Sequence, residues 1–132
     1  MASDSSQTEA SRKVVQTMVN SAASGDEKLL LSCFHDDLVV YEPSFLPYGG
    51  RYQGINGFIG LWAELVKYID PRSLKLGALL ADGERVVCHW TVKTANHDSE
   101  CNMCESYVIR DGKIAEARIF FNELGSLTTL IK

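Results

Sequence analysis

Two glutamates in this chain occupy positions suited to proton transfer. Glu42 stands directly before Pro43, where a short apolar strand gives way to a loop rich in proline and glycine. Glu105 lies in the middle of a later predicted strand, and by alternation it shares one face with Cys101, Met103, Tyr107 and Ile109. Burial among such side chains favours the neutral acid, which can donate a hydrogen bond, while an ionised carboxylate nearby can take a proton from carbon. The pair is therefore a candidate for acid–base catalysis, although these residues alone do not name a reaction.

Other interpretations of the same residues stay open from sequence. Glu105 can instead face solvent or an interface and pair with Arg118 across the hairpin. Tyr107 shares the face of Glu105 and can supply a phenol to the site, as can Tyr48 or Tyr52 from the loop, but packing is the commoner role of such aromatics.

The histidines and cysteines give weaker signals. His89 alternates onto the face opposite Trp90, and only the other strand phase would place it inside as a general base. His35 is expected to be solvated at a helix end. Cys101 and Cys104 form a Cys-x-x-Cys pattern near His97, but residues three apart on a strand point to opposite faces. We therefore expect no metal site, and no phosphate-binding glycine loop or other cofactor motif is present.

Composition narrows the class of protein. The 132 residues are 45% hydrophobic and 23% charged, which is typical of one globular domain, and the net charge is −4. No cluster of basic residues is long enough for nucleic acid, and no apolar run is long enough to span a membrane. The chain does not open with a secretory signal, so we expect a cytoplasmic protein with reduced cysteines.

The elements that position these residues follow from periodicity. Residues 1–10 are polar and are predicted to be disordered, followed by a single domain over 11–132. Three helices are expected first: one from Ser11 to Gly25, one capped by Asp26, and one over about Ile55–Ile69. Four strands then form a meander over residues 73–80, 85–95, 100–110 and 113–121, with Asp111-Gly112 as the clearest hairpin signal. Helices followed by an antiparallel meander predict an α+β domain.

The order helix, Gly-Asp, short helix, Asp-Asp, strand, acid-Pro, glycine-rich loop, helix and meander resembles the nuclear-transport-factor-2-like superfamily. The segment LPYGGRYQG is especially similar to the SnoaL-like branch, which includes polyketide cyclases, and ketosteroid isomerases share the frame. The resemblance covers about Ser11–Leu127. It implies a cone-shaped α+β barrel, with three N-terminal helices packed on a curved, mostly antiparallel sheet around a deep apolar pocket. It also implies a homodimer formed through the sheet.

The resemblance to the isomerases also implies roles for individual residues. Glu42 stands at the position of the general base, which is usually aspartate, and Glu105 at that of the protonated acid in the oxyanion hole. Met18 occupies the position of the first-helix tyrosine, so the usual phenol is missing and Tyr107 is its candidate replacement. Side chains expected to line the pocket are Met18, Tyr48, Tyr52, Phe58, Trp62, Trp90, Met103 and Phe121.

The function predicted from these features is that of a cofactor-independent isomerase or cyclase that acts on a small apolar, steroid-like or polyketide-like carbonyl compound. A non-catalytic ligand-binding or dimerisation module of the same fold is the alternative, which Met18 favours. An adaptor for a protein partner is a third. The fold alone does not choose between them.

Overall fold

The computed structural model describes residues 2–121, with side chains from Ser5 onward. Its helices are α1 (Ala2–Ser24), α2 (Glu27–Ser32) and α3 (Gly54–Leu65). Its strands are β1 (Phe34–Glu42), β2 (Gly50–Gln53), β3 (Ile69–Asp82), β4 (Arg85–Thr94), β5 (Glu100–Arg110) and β6 (Lys113–Phe121). Residues 122–132, which end the predicted domain, lie outside the described range.

The six strands form one sheet in the order β2-β1-β6-β5-β4-β3. Only β1 and β6 pair in parallel, and the other neighbours pair antiparallel. Helix α1 packs on β3 and β4, and α3 packs on β1 and β2, so the helices cover one face of the sheet. This arrangement confirms the predicted α+β cone.

Alternation along the two central strands builds the core. On β4 the buried residues are Val86, Cys88, Trp90, Val92 and Thr94, and on β5 they include Cys101, Met103, Tyr107 and Ile109. Side chains of alternate residues on a strand point to the same face, so the inner face of β5 is the one predicted. Glu105 lies on that face between Met103 and Tyr107.

The predicted helix boundaries and hairpin are confirmed where their capping residues are specific. Gly25 ends α1 with a φ of +77°, a conformation that glycine adopts without strain. The Asp26 side chain caps α2 by accepting a hydrogen bond from the Leu29 N–H at 3.1 Å. Asp111 and Gly112 both have positive φ, as a two-residue hairpin turn requires.

The first helix begins at Ala2, whereas the sequence predicts disorder over residues 1–10. Tertiary contacts compensate for its polar composition: the Thr8 hydroxyl accepts a hydrogen bond from the Gly83 N–H at 2.8 Å, and the Arg12 guanidinium donates to the Leu79 carbonyl at 3.2 Å. Neither contact is visible in a local sequence pattern. Although α1 has 23 residues, no helix in the described range is long and apolar enough to cross a membrane.

The middle of the chain contains more strand than predicted. Asp36 and Asp37 lie within β1, and the glycine-rich loop contains β2, which pairs with the end of β1 through Glu42 and Gly50. Helix α3 ends at Leu65, and β3 already begins at Ile69. Pro71 is tolerated in β3 because the pairing with β4 is interrupted between Asp70 and Lys75, so its missing N–H costs no ladder bond.

Candidate active site

The two glutamates approach one cavity from neighbouring parts of the sheet. Glu42 is the last residue of β1, where the strand leaves the core. Glu105 lies mid-strand on β5, opposite Cys88 of β4 and Ile119 of β6. One strand, β6, lies between β1 and β5, so the two glutamates are close to each other on the sheet. Both face the space beneath the helices.

That space is a small, mainly apolar cavity with two lobes. The larger lobe has a volume of about 80 Å³ and the smaller of about 50 Å³, and Glu42, Trp62 and Glu105 line both. The larger lobe is lined by Met18, Ala22, Leu30, Phe34, Val40, Glu42, Phe58, Leu61, Trp62, Leu65, Leu74, Trp90, Glu105, Tyr107, Ala117 and Ile119. The smaller lobe adds Tyr48, Ile69, Met103 and Phe121. Among the described residues no lysine, arginine or histidine lines either lobe, so within residues 2–121 the two acids and the tyrosines are the ionisable groups of the cavity wall.

Tyr107 holds one of these acids. Its hydroxyl donates a short hydrogen bond to Oε1 of Glu105. A carboxylate accepts such a bond more strongly than a neutral acid does, so the contact favours the ionised form of Glu105. Oε1 of Glu42, in contrast, is buried and has no hydrogen-bond partner among the described residues. An unpaired buried carboxyl favours the neutral form.

Burial and charge separate the two acids further. Desolvation, with a contribution from the charge of Glu105, raises the pKa of Glu42 from 4.5 to about 9. Desolvation also raises the pKa of Glu105, to about 7, against the opposing effect of the hydrogen bond from Tyr107. At neutral pH the pair thus tends to carry one charge, held by Glu105. This order of ionisation is the reverse of that implied by the isomerase resemblance, in which Glu42 is the base.

Most of the side chains expected to line the pocket do so. Met18, Phe58, Trp62 and Trp90 line the larger lobe, and Tyr48, Met103 and Phe121 the smaller one. Tyr52 lines neither, because its hydroxyl donates to the Tyr48 carbonyl at 2.8 Å on the loop side. Sequence reasoning missed Leu65 and Leu74, since α3 and β3 meet at the cavity only through the tertiary fold.

The structure gives Arg118, His89 and His35 other surroundings than the alternatives from sequence suggest. Arg118 lies over the ring of Tyr41, with its guanidinium carbon 4.0 Å from the centroid, and does not pair with Glu105. His89 is exposed on the outer face of the sheet, opposite the cavity. His35 is not simply solvated, because its Nε2 lies 3.2 Å from Oδ2 of Asp111. It lines neither lobe of the cavity.

The cysteine pattern behaves as strand geometry predicts. Cys101 is fully buried on the inner face, while Cys104 is partly exposed on the other side of β5. His97 is engaged elsewhere, with its Nε2 2.7 Å from Oδ2 of Asp70. Within residues 2–121 no cluster of three or more metal-ligating side chains is present.

Two outer clefts meet the cavity wall at Trp62 and Ala22. One, of about 230 Å³, lies among the three helices, and the other, of about 500 Å³, lies beside the start of β3. Trp62 and Ala22 line both clefts and also the larger lobe. The Trp62 ring packs on Phe58, with centroids 5.6 Å apart. Ala22 and Trp62 therefore lie between the larger lobe of the cavity and both outer clefts.

Comparison with known proteins agrees with this architecture. Residues 15–117 match the SnoaL-like domain, and the chain belongs to that family. A nuclear-transport-factor-2-like protein from Burkholderia xenovorans superposes with a TM-score of 0.77 at 18% identity, covering 95% of this chain and 98% of its own. A proposed polyketide cyclase from Sinorhizobium meliloti gives 0.68 at 22% identity, covering 82% and 94%. TerC, crystallised with polyporic acid, gives 0.78 at 20% identity, covering 92% and 98%.

These identities establish a shared fold and do not transfer an activity. No curated protein sequence matches the chain. Its function must therefore be inferred from the cavity itself.

Proposed function

We propose that the protein is a cofactor-independent enzyme of the isomerase or cyclase type, which moves a proton between carbon atoms next to a carbonyl group. The observation that carries this proposal is the carboxyl pair in the apolar cavity. Glu105 accepts a hydrogen bond from the Tyr107 hydroxyl, while the buried Oε1 of Glu42 has no hydrogen-bond partner among the described residues. Environments that push two acids to different pKa values are typical of acid–base catalysis.

In this mechanism the Glu105 carboxylate takes a proton from the carbon beside the carbonyl. The electrons of that C–H bond form a carbon–carbon double bond, and the carbonyl π electrons move to oxygen. The neutral Glu42 donates a hydrogen bond to that oxygen and stabilises its charge. In a β,γ-unsaturated ketone this enolate is a dienolate, because the second double bond is conjugated with it. The proton on Glu105 then goes to the γ-carbon, where the electrons of the β,γ double bond form the new C–H bond. The enolate double bond shifts to the α,β position, the oxygen electrons re-form the carbonyl, and Glu105 is ionised again. Tyr107 is a positioning residue that keeps Glu105 ionised near neutral pH.

The cavity limits the substrate. A pocket for a drug-sized ligand has a volume of about 300–1,000 Å³, far above the about 80 Å³ of the larger lobe. A single-ring carbonyl compound therefore fits this proposal better than the steroid-like or polyketide-like compound expected from sequence. Because no cationic side chain lines the described cavity and one acid is charged, the substrate should also be neutral.

The proposal is tested by isomerisation of cyclohex-3-enone to cyclohex-2-enone, followed by NMR at pH 8. The native protein should accelerate the reaction over buffer, and Glu105→Gln should abolish the acceleration. Glu42→Gln should lower it, because an amide donates a weaker hydrogen bond than a carboxylic acid. Glu84→Gln, at an exposed glutamate that lines neither lobe of the cavity, is the matched control and should retain the native rate.

Acceleration that survives in Glu105→Gln would refute the assigned base. A native rate equal to that of buffer, for this ketone and for its methylated analogues, would refute the enzymatic proposal. The protein would then be the non-catalytic ligand-binding module, an alternative favoured by the thioether of Met18 in the cavity wall and by the small volume.

We also propose that two copies associate through the outer face of the sheet. Three large apolar residues of the strands, Leu80, Val87 and Phe120, are exposed there. Leu80 and Val87 are cross-strand partners, so they form a continuous patch. Phe120→Lys should convert a dimer to a monomer in sedimentation equilibrium, and a native monomer would refute this assembly. The cytoplasmic location stays a prediction.

A further inference from the structure

The Trp90 indole N–H is a buried donor that forms no regular hydrogen bond with any described residue. Trp90 lies on the inner face of β4 and is 4% exposed. Its Nε1 is fully buried and forms no hydrogen bond among the described residues. It lies beside the Tyr107 phenol, where it opposes the rise that burial causes in the pKa of that group, although Nε1 forms no hydrogen bond of regular geometry with it. Leaving such a donor unpaired destabilises the folded protein, and a ligand acceptor would relieve that cost.

The strand register places this donor beside the carboxyl pair. Cys88 is the direct cross-strand partner of Glu105, and Trp90 is two residues further along β4 on the same face. Diagonal neighbours of this kind lie within reach of a long aromatic side chain. Trp90, Glu42 and Glu105 all line the larger lobe of the cavity.

We propose that the Trp90 indole N–H donates a hydrogen bond to the carbonyl oxygen of the ligand in the larger lobe of the cavity. This inference rests on the proposed function, since it completes the same site. The ligand class that it requires is a neutral, compact ketone or enone whose oxygen meets both Trp90 and Glu42.

The tyrosines of the site do not offer this donor. The Tyr107 hydroxyl is committed to Glu105, and the Tyr52 hydroxyl to the Tyr48 carbonyl. Tyr48 lines only the smaller lobe. Met18 lines the larger lobe but its thioether has no proton to donate. Trp62 also lines the larger lobe, but of the two indoles only that of Trp90 has a buried N–H without a hydrogen-bond partner among the described residues.

Such a donor would discriminate between ligands. A ligand with an oxygen acceptor would relieve the unpaired N–H, whereas a hydrocarbon of the same shape would leave it unpaired. Sites built to form a hydrogen bond reject analogues that lack the partner. In the reaction the same N–H would stabilise the enolate oxygen more than the ketone oxygen, because negative charge develops there.

The test uses the native protein with ¹⁵N-labelled tryptophan. The chain has two tryptophans, so the loss of one indole signal in Trp90→Phe assigns the other to Trp62. The protein is titrated with cyclohexanone and with methylenecyclohexane, which has the same shape but no oxygen. Cyclohexanone should move the Trp90 indole proton downfield, while methylenecyclohexane should bind without that downfield shift. In the enone assay, Trp90→Phe should lower the rate roughly 10²-fold.

Binding of cyclohexanone without a downfield shift at Trp90, or an equal shift with both ligands, would overturn this inference and leave the carboxyl pair intact. Absence of cyclohexanone binding would overturn it too. The enone assay is read separately: a downfield shift with no isomerisation would support the Trp90 contact and refute the enzymatic proposal. Trp62→Phe gives the same assignment from the other tryptophan, so the binding experiment on the native protein stands even if Trp90→Phe does not fold.

Discussion

Replacing Glu42 by glutamine should stabilise the protein, and by an amount that grows with pH. The pKa of Glu42 is raised from 4.5 to about 9, so the folded protein keeps this proton while the unfolded chain loses it. Below pH 4.5 both states hold the proton, and Glu42 costs nothing. As the pH rises toward 9, stability is lost at about 1.4 kcal/mol per pH unit, because the folded state binds the extra proton. At pH 7 the accumulated cost is about 3 kcal/mol.

Glutamine cannot ionise, so Glu42→Gln should remove this pH-dependent loss. The amide brings its own buried donors, whose cost does not vary with pH. The decisive quantity is therefore how the difference in unfolding free energy between the variant and the native protein changes with pH. Urea unfolding at pH 5, 6, 7 and 8 measures it. The difference should move in favour of the variant by roughly 3 kcal/mol or more from pH 5 to 8.

The exposed Glu84→Gln is the matched control, and its difference from the native protein should stay nearly constant with pH. If the Glu42→Gln difference is equally constant, the carboxyl of Glu42 is ionised in the folded protein. The assignment of Glu42 as the neutral acid would then be refuted.

Three further predictions concern the same cavity. Tyr107→Phe should raise the pKa of Glu105 further above 7 by roughly 1–2 units, since a hydrogen bond to a charged group is worth about 1.5–3 kcal/mol. An NMR titration measures this pKa, and Tyr48→Phe should leave it unchanged. In the enone assay, kcat/KM should rise through a pKa of about 7 and fall through one of about 9, because the reaction needs Glu105 ionised and Glu42 protonated; a profile flat from pH 6 to 10 would contradict this. Trp62→Ala should join the cavity to the helical clefts and allow 2-naphthol to bind better relative to phenol, and an unchanged ratio in calorimetry would show that Trp62 does not limit the cavity.

Sequence alone predicted the sheet best where local chemistry is decisive. The bounds of β5 and β6 agree with the prediction because Asp111-Gly112 fixes the turn and alternation fixes the face. The start of α1 and the existence of β2 were not predictable in the same way. Thr8 is held by a hydrogen bond from Gly83, which lies far from it in the sequence. Gly50 joins the sheet by pairing with Glu42 across a turn.

The members of the site could be predicted, but not their electrostatics. Glu42, Glu105 and Tyr107 follow from a strand end, an alternating face and the family resemblance. The order in which the acids ionise depends on which of them receives the Tyr107 hydroxyl, and that depends on side-chain geometry inside the cavity. The same holds for Trp90: its place on the inner face follows from alternation, but its lack of an acceptor appears only when every neighbour is in place.

The most direct test of the whole account is a ¹³C NMR titration of the glutamate side-chain carboxyls in the native protein, assigned with Glu42→Gln and Glu105→Gln. We predict one carboxyl with a pKa of about 7, absent in Glu105→Gln, and a second with a pKa of about 9, absent in Glu42→Gln. If both carboxyls instead ionise below pH 5, the cavity does not hold a neutral acid beside a carboxylate, and the proposed chemistry is wrong.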